Sequence, residues 1–231
     1  MRPETSQVKT IAFDVAGWPG HRAGQHVDVR LTAEDGYQSE RSYSIASRPG
    51  EPHLELTVEL LEDGEVSPYL TEELRDGDVI ELRGPVGGYF VWDPAAQGKV
   101  LLVGGGSGVV PLMAMAREHA AEGSSIPTTL LYSARSWDDI IYRDELAQLA
   151  EQDADLEVAY TLTRAQPPGW SGYKRRVDRD MLAQVAAPPN ELALTFVCGP
   201  TPFVEAVASA MVELGHEPAR IKTERFGPTG R

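Results

Sequence analysis

Val100-Leu101-Leu102-Val103-Gly104-Gly105-Gly106-Ser107-Gly108-Val109-Val110-Pro111 is the stretch that decides how the second half of this chain is built. Its four leading apolar residues read as a strand buried on both faces, and Val109 to Ala121 reads as a helix. The glycines between them let the backbone approach a neighbour closely, and the free N–H groups at a helix start attract an anion such as a pyrophosphate. This spacing departs from the G-x-G-x-x-G dinucleotide fingerprint, so a turn that is glycine-rich for packing alone stands as the alternative.

Downstream the same rhythm continues. Strands are expected at 128–132, 156–162, 194–198 and 220–225, and helices at 139–150, 178–186 and 201–214. Near-continuous apolar strands alternating with helices predict a parallel sheet covered on both faces. Upstream, to about residue 95, the chain reads as short strands near 8–14, 25–32, 41–47, 53–61, 79–83 and 89–92, separated by glycine and proline turns. Six strands at this spacing predict a small antiparallel barrel or sandwich. Ser67 to Leu74 interrupts them as a short helix, with Ser67 read as its N-cap and Pro68 as its first residue. The fold expected is therefore two-domain, β plus α/β, with residues 1–95 as the antiparallel six-stranded part, residues 96–231 as the parallel-sheet part, and the boundary near Pro94 to Gly98.

Charge narrows the function. The 231 residues hold 21 Lys+Arg and 35 Asp+Glu, a net charge of −14. Residues 1–95 carry 8 basic and 18 acidic side chains, and residues 96–231 carry 13 and 17. A chain this acidic is a poor nucleic-acid ligand. One local basic cluster stands out, at Arg164, Lys174, Arg175, Arg176 and Arg179, the alternative being a solvated loop. Cys198 is the single cysteine, so no internal disulfide forms and no iron–sulfur cluster or zinc tetrad is held by cysteines alone. No basic-then-apolar leader and no run of roughly 20 apolar residues is present, which points to a reducing, cytoplasmic setting without a membrane span. The five histidines show no metal-ligand grouping and read as surface or turn residues, so no metal site is expected.

Four further segments carry chemistry. Arg41-Ser42-Tyr43-Ser44 puts a guanidinium, a ring and hydroxyls on one strand, suited to a phosphate and a flat ligand, or else forms a plain edge strand. Gly64-Glu65-Val66-Ser67 precedes the short helix, where Ser67 either helps hold an anion or merely caps. Gly84 to Phe90 permits a tight turn, and Cys198-Gly199-Pro200 joins a buried strand to a helix. Taken alone, Cys198 reads as an inert buried thiol.

In this order the segments resemble the ferredoxin–NADP reductase family, from about Val8 to Phe226. The R-x-Y-S strand is Arg41 to Ser44, the G-x-x-S loop is Gly64 to Ser67, the glycine-rich turn is Gly104 to Pro111, the C-G-P is Cys198 to Pro200, and the Glu-x-aromatic is Glu224-Arg225-Phe226. The resemblance implies an FAD-binding barrel in residues 1–95 and an NAD(P)-binding α/β domain in residues 96–231, with both cofactors meeting between them. It implies catalytic positions at Ser44, Cys198 and Glu224. Around FAD it places Arg41 at the pyrophosphate, Tyr43 on the isoalloxazine with Ser42 beside it, Thr57, Val58 and Glu59 along the ribityl side, and Gly64, Val66 and Ser67 in the pyrophosphate loop. Around the nicotinamide dinucleotide it places Gly105, Gly106 and Ser107, then Cys198, Gly199 and Pro200, with Phe226 covering the flavin. Thr163 and Arg164, with Lys174 or Arg175 as a second cation, are where a 2′-phosphate is expected, favouring NADP over NAD, while Asp138 and Asp139, which follow the cofactor-binding Arg135 in a loop that approaches the adenosine ribose, argue the other way. The activity implied is electron transfer between NADPH and a separate ferredoxin or flavodoxin. Alternatives are an NADH-dependent reductase component of an oxygenase system and a non-catalytic flavin- or nucleotide-binding regulatory module.

Overall fold

The computed structural model describes residues 1–93 and 98–227. Its first part contains β1 (Arg2–Pro3), β2 (Val8–Phe13), β3 (His26–Thr32), β4 (Gln38–Ser44), β5 (Leu54–Glu59) and β6 (Glu81–Val86). These form two antiparallel three-stranded sheets, ordered β1-β2-β5 and β4-β3-β6, joined by a bridge between Ile45 and Leu56. Alternation along β3 explains why it sits where it does: Val27 and Val29 point into a core with Ile11, Ile45, Leu56 and Val58, while Asp28 and Arg30 point outward.

Three local expectations are corrected here. Residues 89–92 are not a strand. Phe90, Val91 and Trp92 are buried, the Trp92 backbone N–H donates to Ala23 O at 3.0 Å, the Trp92 ring meets His119 at 6.0 Å and the Phe90 ring meets Phe196 edge-on at 5.3 Å, so these apolar residues join the two parts of the chain instead of entering a ladder. The sixth strand is β1. Ser67 is no N-cap either, since α1 (Val66–Pro68) starts one residue earlier with Glu65 at its cap and runs on as a π-helical turn over Tyr69–Glu73. The Ser67 hydroxyl is drawn away from the helix end by the Leu61 N–H at 3.1 Å. The histidines are not all at the surface: His119 is enclosed between Asp153 Oδ2 at 2.7 Å and Ile126 O at 2.8 Å, and His216 is buried.

The second part is the expected α/β unit. It runs β7 (Lys99–Gly105), α2 (Val109–Ala121), β8 (Thr128–Ala134), α3 (Arg143–Gln152), β9 (Leu156–Leu162), α4 (Arg179–Val185), β10 (Leu192–Pro200), α5 (Thr201–Glu213) and β11 (Ile221–Phe226). The five strands are parallel, in the order β11-β10-β7-β8-β9. Each β7 residue serves one face: Val100 and Leu102 pack with α2 and α3, and Leu101 and Val103 with α4 and α5. α3 begins at Arg143 instead of the expected 139 because Tyr142 takes a left-handed conformation (φ 58°), its hydroxyl donating to Thr57 of β5. The boundary expected near Pro94 to Gly98 falls mostly on residues 94–97, outside the described residues.

Candidate active site

Strand order reverses at β7, since β8 lies on one side of it and β10 on the other. At such a switch point the two crossover turns diverge and leave a crevice beyond the carboxyl ends of the strands. Here the crevice is edged by the 3₁₀ turn Gly106–Gly108 and by Cys198 to Pro200. The two turns touch: a Cβ on Gly108 would lie 2.2 Å from Cys198 O, so only glycine lets them meet. Gly106 has φ +57° and open space where a side chain would be, in the turn that leads into α2, where helix-start N–H groups suit an anion.

Ladder register then gathers the proposed catalytic residues. Cys198 pairs with Gly104 on one side and Glu224 on the other. Glu224 Oε1 lies 3.8 Å from Nδ1 of His26, which pairs with Ser44 across β3 and β4. Ser44, Cys198 and Glu224 thus belong to one neighbourhood, contributed by both parts of the chain. Burial raises the Glu224 carboxyl from 4.5 to about 7, and among the described residues its buried Oε2 has no hydrogen-bond partner. Burial, then the Glu224 charge, push the Cys198 thiol well above its ordinary value, so it is held as a neutral thiol.

The remaining sequence-derived positions divide by what their side chains do. On β4, Arg41 is exposed, its Nη1 donating to the adjacent Glu40 O at 2.7 Å, and Tyr43 is half-buried, with its hydroxyl pushed up to about 12 by burial. Ser42 donates to Asp28 at 2.6 Å. Thr57 accepts from Tyr142 and shares a 2.8 Å hydrogen bond with Thr10, while Val58 is wholly in the core, so neither side chain faces a cleft. Glu59 accepts from Ser107 at 2.6 Å, joining two positions expected to contact different cofactors. Gly64 closes its loop through its N–H to Leu61 O at 2.8 Å, Ser67 bonds Leu61, and Val66 is buried.

At the far end of the crevice, the Arg164 N–H donates to Arg135 O at 2.8 Å, setting both residues side by side past β8 and β9. Among the described residues, the side chains of Arg135, Arg164 and Lys174 are exposed and have no hydrogen bond or ion pair. Thr163 Oγ1 donates to Ala134 O at 3.2 Å, and Arg175 is held by Asp178 at 2.5 Å. Asp139 accepts from Ser136 at 2.6 Å and Asp138 is almost fully exposed. Gly199 follows Cys198 into α5, and Phe226, 37 % exposed, ends edge strand β11 beside Pro200.

His26 is the site residue that the sequence reading missed. Its signal was its place, directly after Gly24-Gln25 at the head of β3, but nothing local shows that β11 lies opposite. Tyr89 was missed in the same way; its hydroxyl donates to Ile221 O at 3.2 Å and Lys222 Nζ sits 4.3 Å over its ring.

These residues fit a flavin and a dinucleotide. A buried carboxylate oxygen and two arginines without partners among the described residues, open space at Gly106 and a half-buried ring beside a guanidinium are the donors, acceptors and surfaces that such ligands use. Comparison with known proteins agrees. The oxidoreductase FAD-binding domain matches residues 7–91 and the oxidoreductase NAD-binding domain matches residues 102–209. Ferredoxin–NADP reductase B of Sorangium cellulosum is 34% identical over 234 residues, covering 98% of this chain and 94% of its own. The glycine betaine monooxygenase reductase subunit of Pseudomonas aeruginosa is also 34% identical over 231 residues, covering 98% of this chain, which spans only 62% of that relative's length. The FAD/NAD-binding domain of a nitric oxide dioxygenase from Vibrio cholerae shares the fold, with a TM-score of 0.86 at 24% identity over 98% of this chain and 95% of that one. The chain belongs to the ferredoxin-reductase-like family of FAD- and NAD-binding flavoprotein oxidoreductases.

Proposed function

We propose that this oxidoreductase moves electrons between NADPH and a separate small redox protein, a ferredoxin or flavodoxin, with its division of labour falling near residues 94–98. The observation that carries the choice of NADPH is the pair Arg135 and Arg164, adjacent and without acidic partners among the described residues. Asp139 is turned back onto Ser136 and does not neutralise them. A charge-assisted contact contributes about 1.5–3 kcal/mol, roughly tenfold to a hundredfold in favour of a 2′-phosphate.

Bound together, the two cofactors supply hydride transfer between nicotinamide C4 and flavin N5; the chain supplies alignment and the surrounding charges. Tyr43 gives the flavin ring a face and Arg41 a cation for its phosphates. The backbone at Gly105, Gly106 and Ser107 receives the dinucleotide. The Ser44 hydroxyl is offered at N5, the Cys198 thiol excludes water as a neutral group, and Glu224 holds or releases a proton at Oε2 near neutral pH. Phe226 shields the flavin from solvent.

A second reading, the NADH-dependent reductase of an oxygenase system, is favoured by the likeness to the glycine betaine monooxygenase reductase subunit. Anaerobic titration of the FAD-loaded protein with each nucleotide separates them. NADPH is expected to bleach the flavin band faster, and Arg164→Ala to erase the preference. Equal rates refute the NADPH assignment, and a bound flavin that neither nucleotide bleaches indicates a non-catalytic module.

A further inference from the structure

Helix α2 starts at the glycine turn and crosses to the first part of the chain, so whatever holds this helix also holds the turn. At its start, Ser107 Oγ donates to Glu59 Oε2 at 2.6 Å. Farther along, Arg117 Nη1 donates to Ala46 O at 2.8 Å and to Glu55 Oε2 at 2.9 Å. Glu55 to Glu59 spans about 13 Å of strand at roughly 3.3 Å per residue. Ser107 to Arg117 spans about 15 Å of helix at roughly 1.5 Å per residue. Strand and helix therefore run antiparallel, tied at both ends over matching lengths.

The two ties differ in kind. Ser107–Glu59 is one hydrogen bond. Arg117 is 12% exposed, and its remaining donors Nε and Nη2 grip both oxygens of Glu145 on α3 at 2.7 and 2.8 Å. Its guanidinium also lies 5.2 Å over the ring of Tyr142, whose hydroxyl reaches Thr57 on β5. One planar cation thus joins α2 and α3 to the β domain two residues after Ser44, at Ala46, and two residues before Thr57, at Glu55. A lysine has the charge without the fork and reaches only part of this set.

We propose that Arg117 is a positioning residue: it sets the height of α2, and with it the Gly106–Gly108 turn, against β4 and β5, and so fixes the separation of the two cofactor sites. This rests on the reading that the turn and β4 hold the dinucleotide and the flavin. Misplacing reacting atoms by about 1 Å is able to cost roughly a hundredfold in rate.

The test uses the full-length, FAD-loaded chain with spin labels at Glu34→Cys and Ser125→Cys, both exposed and on opposite sides of the junction. Arg117→Lys is expected to broaden or shift the label distance distribution and to slow flavin reduction by NADPH about tenfold to a hundredfold, with FAD content and NADP⁺ affinity within about twofold of the parent. Glu55→Gln, which keeps Arg117 and Glu145, is expected to change both readouts in the same direction and serves if the lysine variant does not fold. Unchanged distance distributions in the variants overturn the proposal, as does a broadened distribution with an unaltered reduction rate. If the parent itself is not reduced by either nucleotide, the functional reading has failed; the label distances still decide whether Arg117 sets the height of α2.

Discussion

Replacing Glu224 by glutamine isolates the energetic consequence of seating a carboxylate between the two parts of the chain. Its side chain is 26% exposed, and among the described residues its Oε2 has no hydrogen-bond partner and the nearest basic group, His26 Nδ1, is 3.8 Å from Oε1. Burial raises its pKa from 4.5 to about 7. Between those values the folded protein keeps a proton that the unfolded chain has released. The folded state binds more protons there, so stability falls as pH rises through the window. At about 1.36 kcal/mol per pH unit the whole interval corresponds to about 3 kcal/mol, and allowing for water at the exposed quarter leaves about 2 kcal/mol. Glutamine does not ionise and escapes this loss. Any cost of the new amide is independent of pH, so the informative quantity is the change in the difference between variant and parent. Urea unfolding at fixed excess FAD, followed by circular dichroism from pH 5 to 8, is expected to show Glu224→Gln gaining about 2 kcal/mol on the parent across that range. Parallel curves, agreeing within about 0.5 kcal/mol at every pH, would refute the assignment of a raised, partnerless carboxyl.

Other substitutions probe neighbouring features. Gly108→Ala places a methyl 2.2 Å from Cys198 O, a backbone atom with no freedom to yield, and is expected to cost more than about 3 kcal/mol in thermal unfolding or to prevent folding. Asp178→Ala removes the carboxylate that caps α4 at Met181 N (2.8 Å), for about 1 kcal/mol of stability, and frees Arg175; the KM for NADPH is expected to fall while that for NADH holds.

Much of the architecture was legible because it is written in short-range pattern. Apolar runs mark β7, β8 and β10 wherever the rest of the chain goes, and the R-x-Y-S and glycine-rich segments lie on elements whose type follows from their own composition. Misreadings arose where a side chain answers to a distant partner. Phe90 to Trp92 has the composition of a strand, but its rings are spent filling the junction against Phe196 and His119. Ser67 has the composition of a cap, but Leu61 takes its hydroxyl. His119 reads as a surface residue until Asp153 and Ile126 are seen to enclose it.

The same division holds for the site. From the sequence alone came the order of the elements, the two-part fold and the chemical types available: a cation, a ring and hydroxyls on one strand, glycines at one turn, a thiol and a carboxylate near the end. Tertiary structure alone decided that His26 faces Glu224, that Ser107 meets Glu59, that Arg117 reaches Ala46, and that Glu224 Oε2 is left without a hydrogen-bond partner among the described residues. The physical reason is that strand and helix formation depend on neighbours a few residues away, whereas desolvation, pKa and hydrogen-bond satisfaction depend on what the folded chain brings alongside from far along its length.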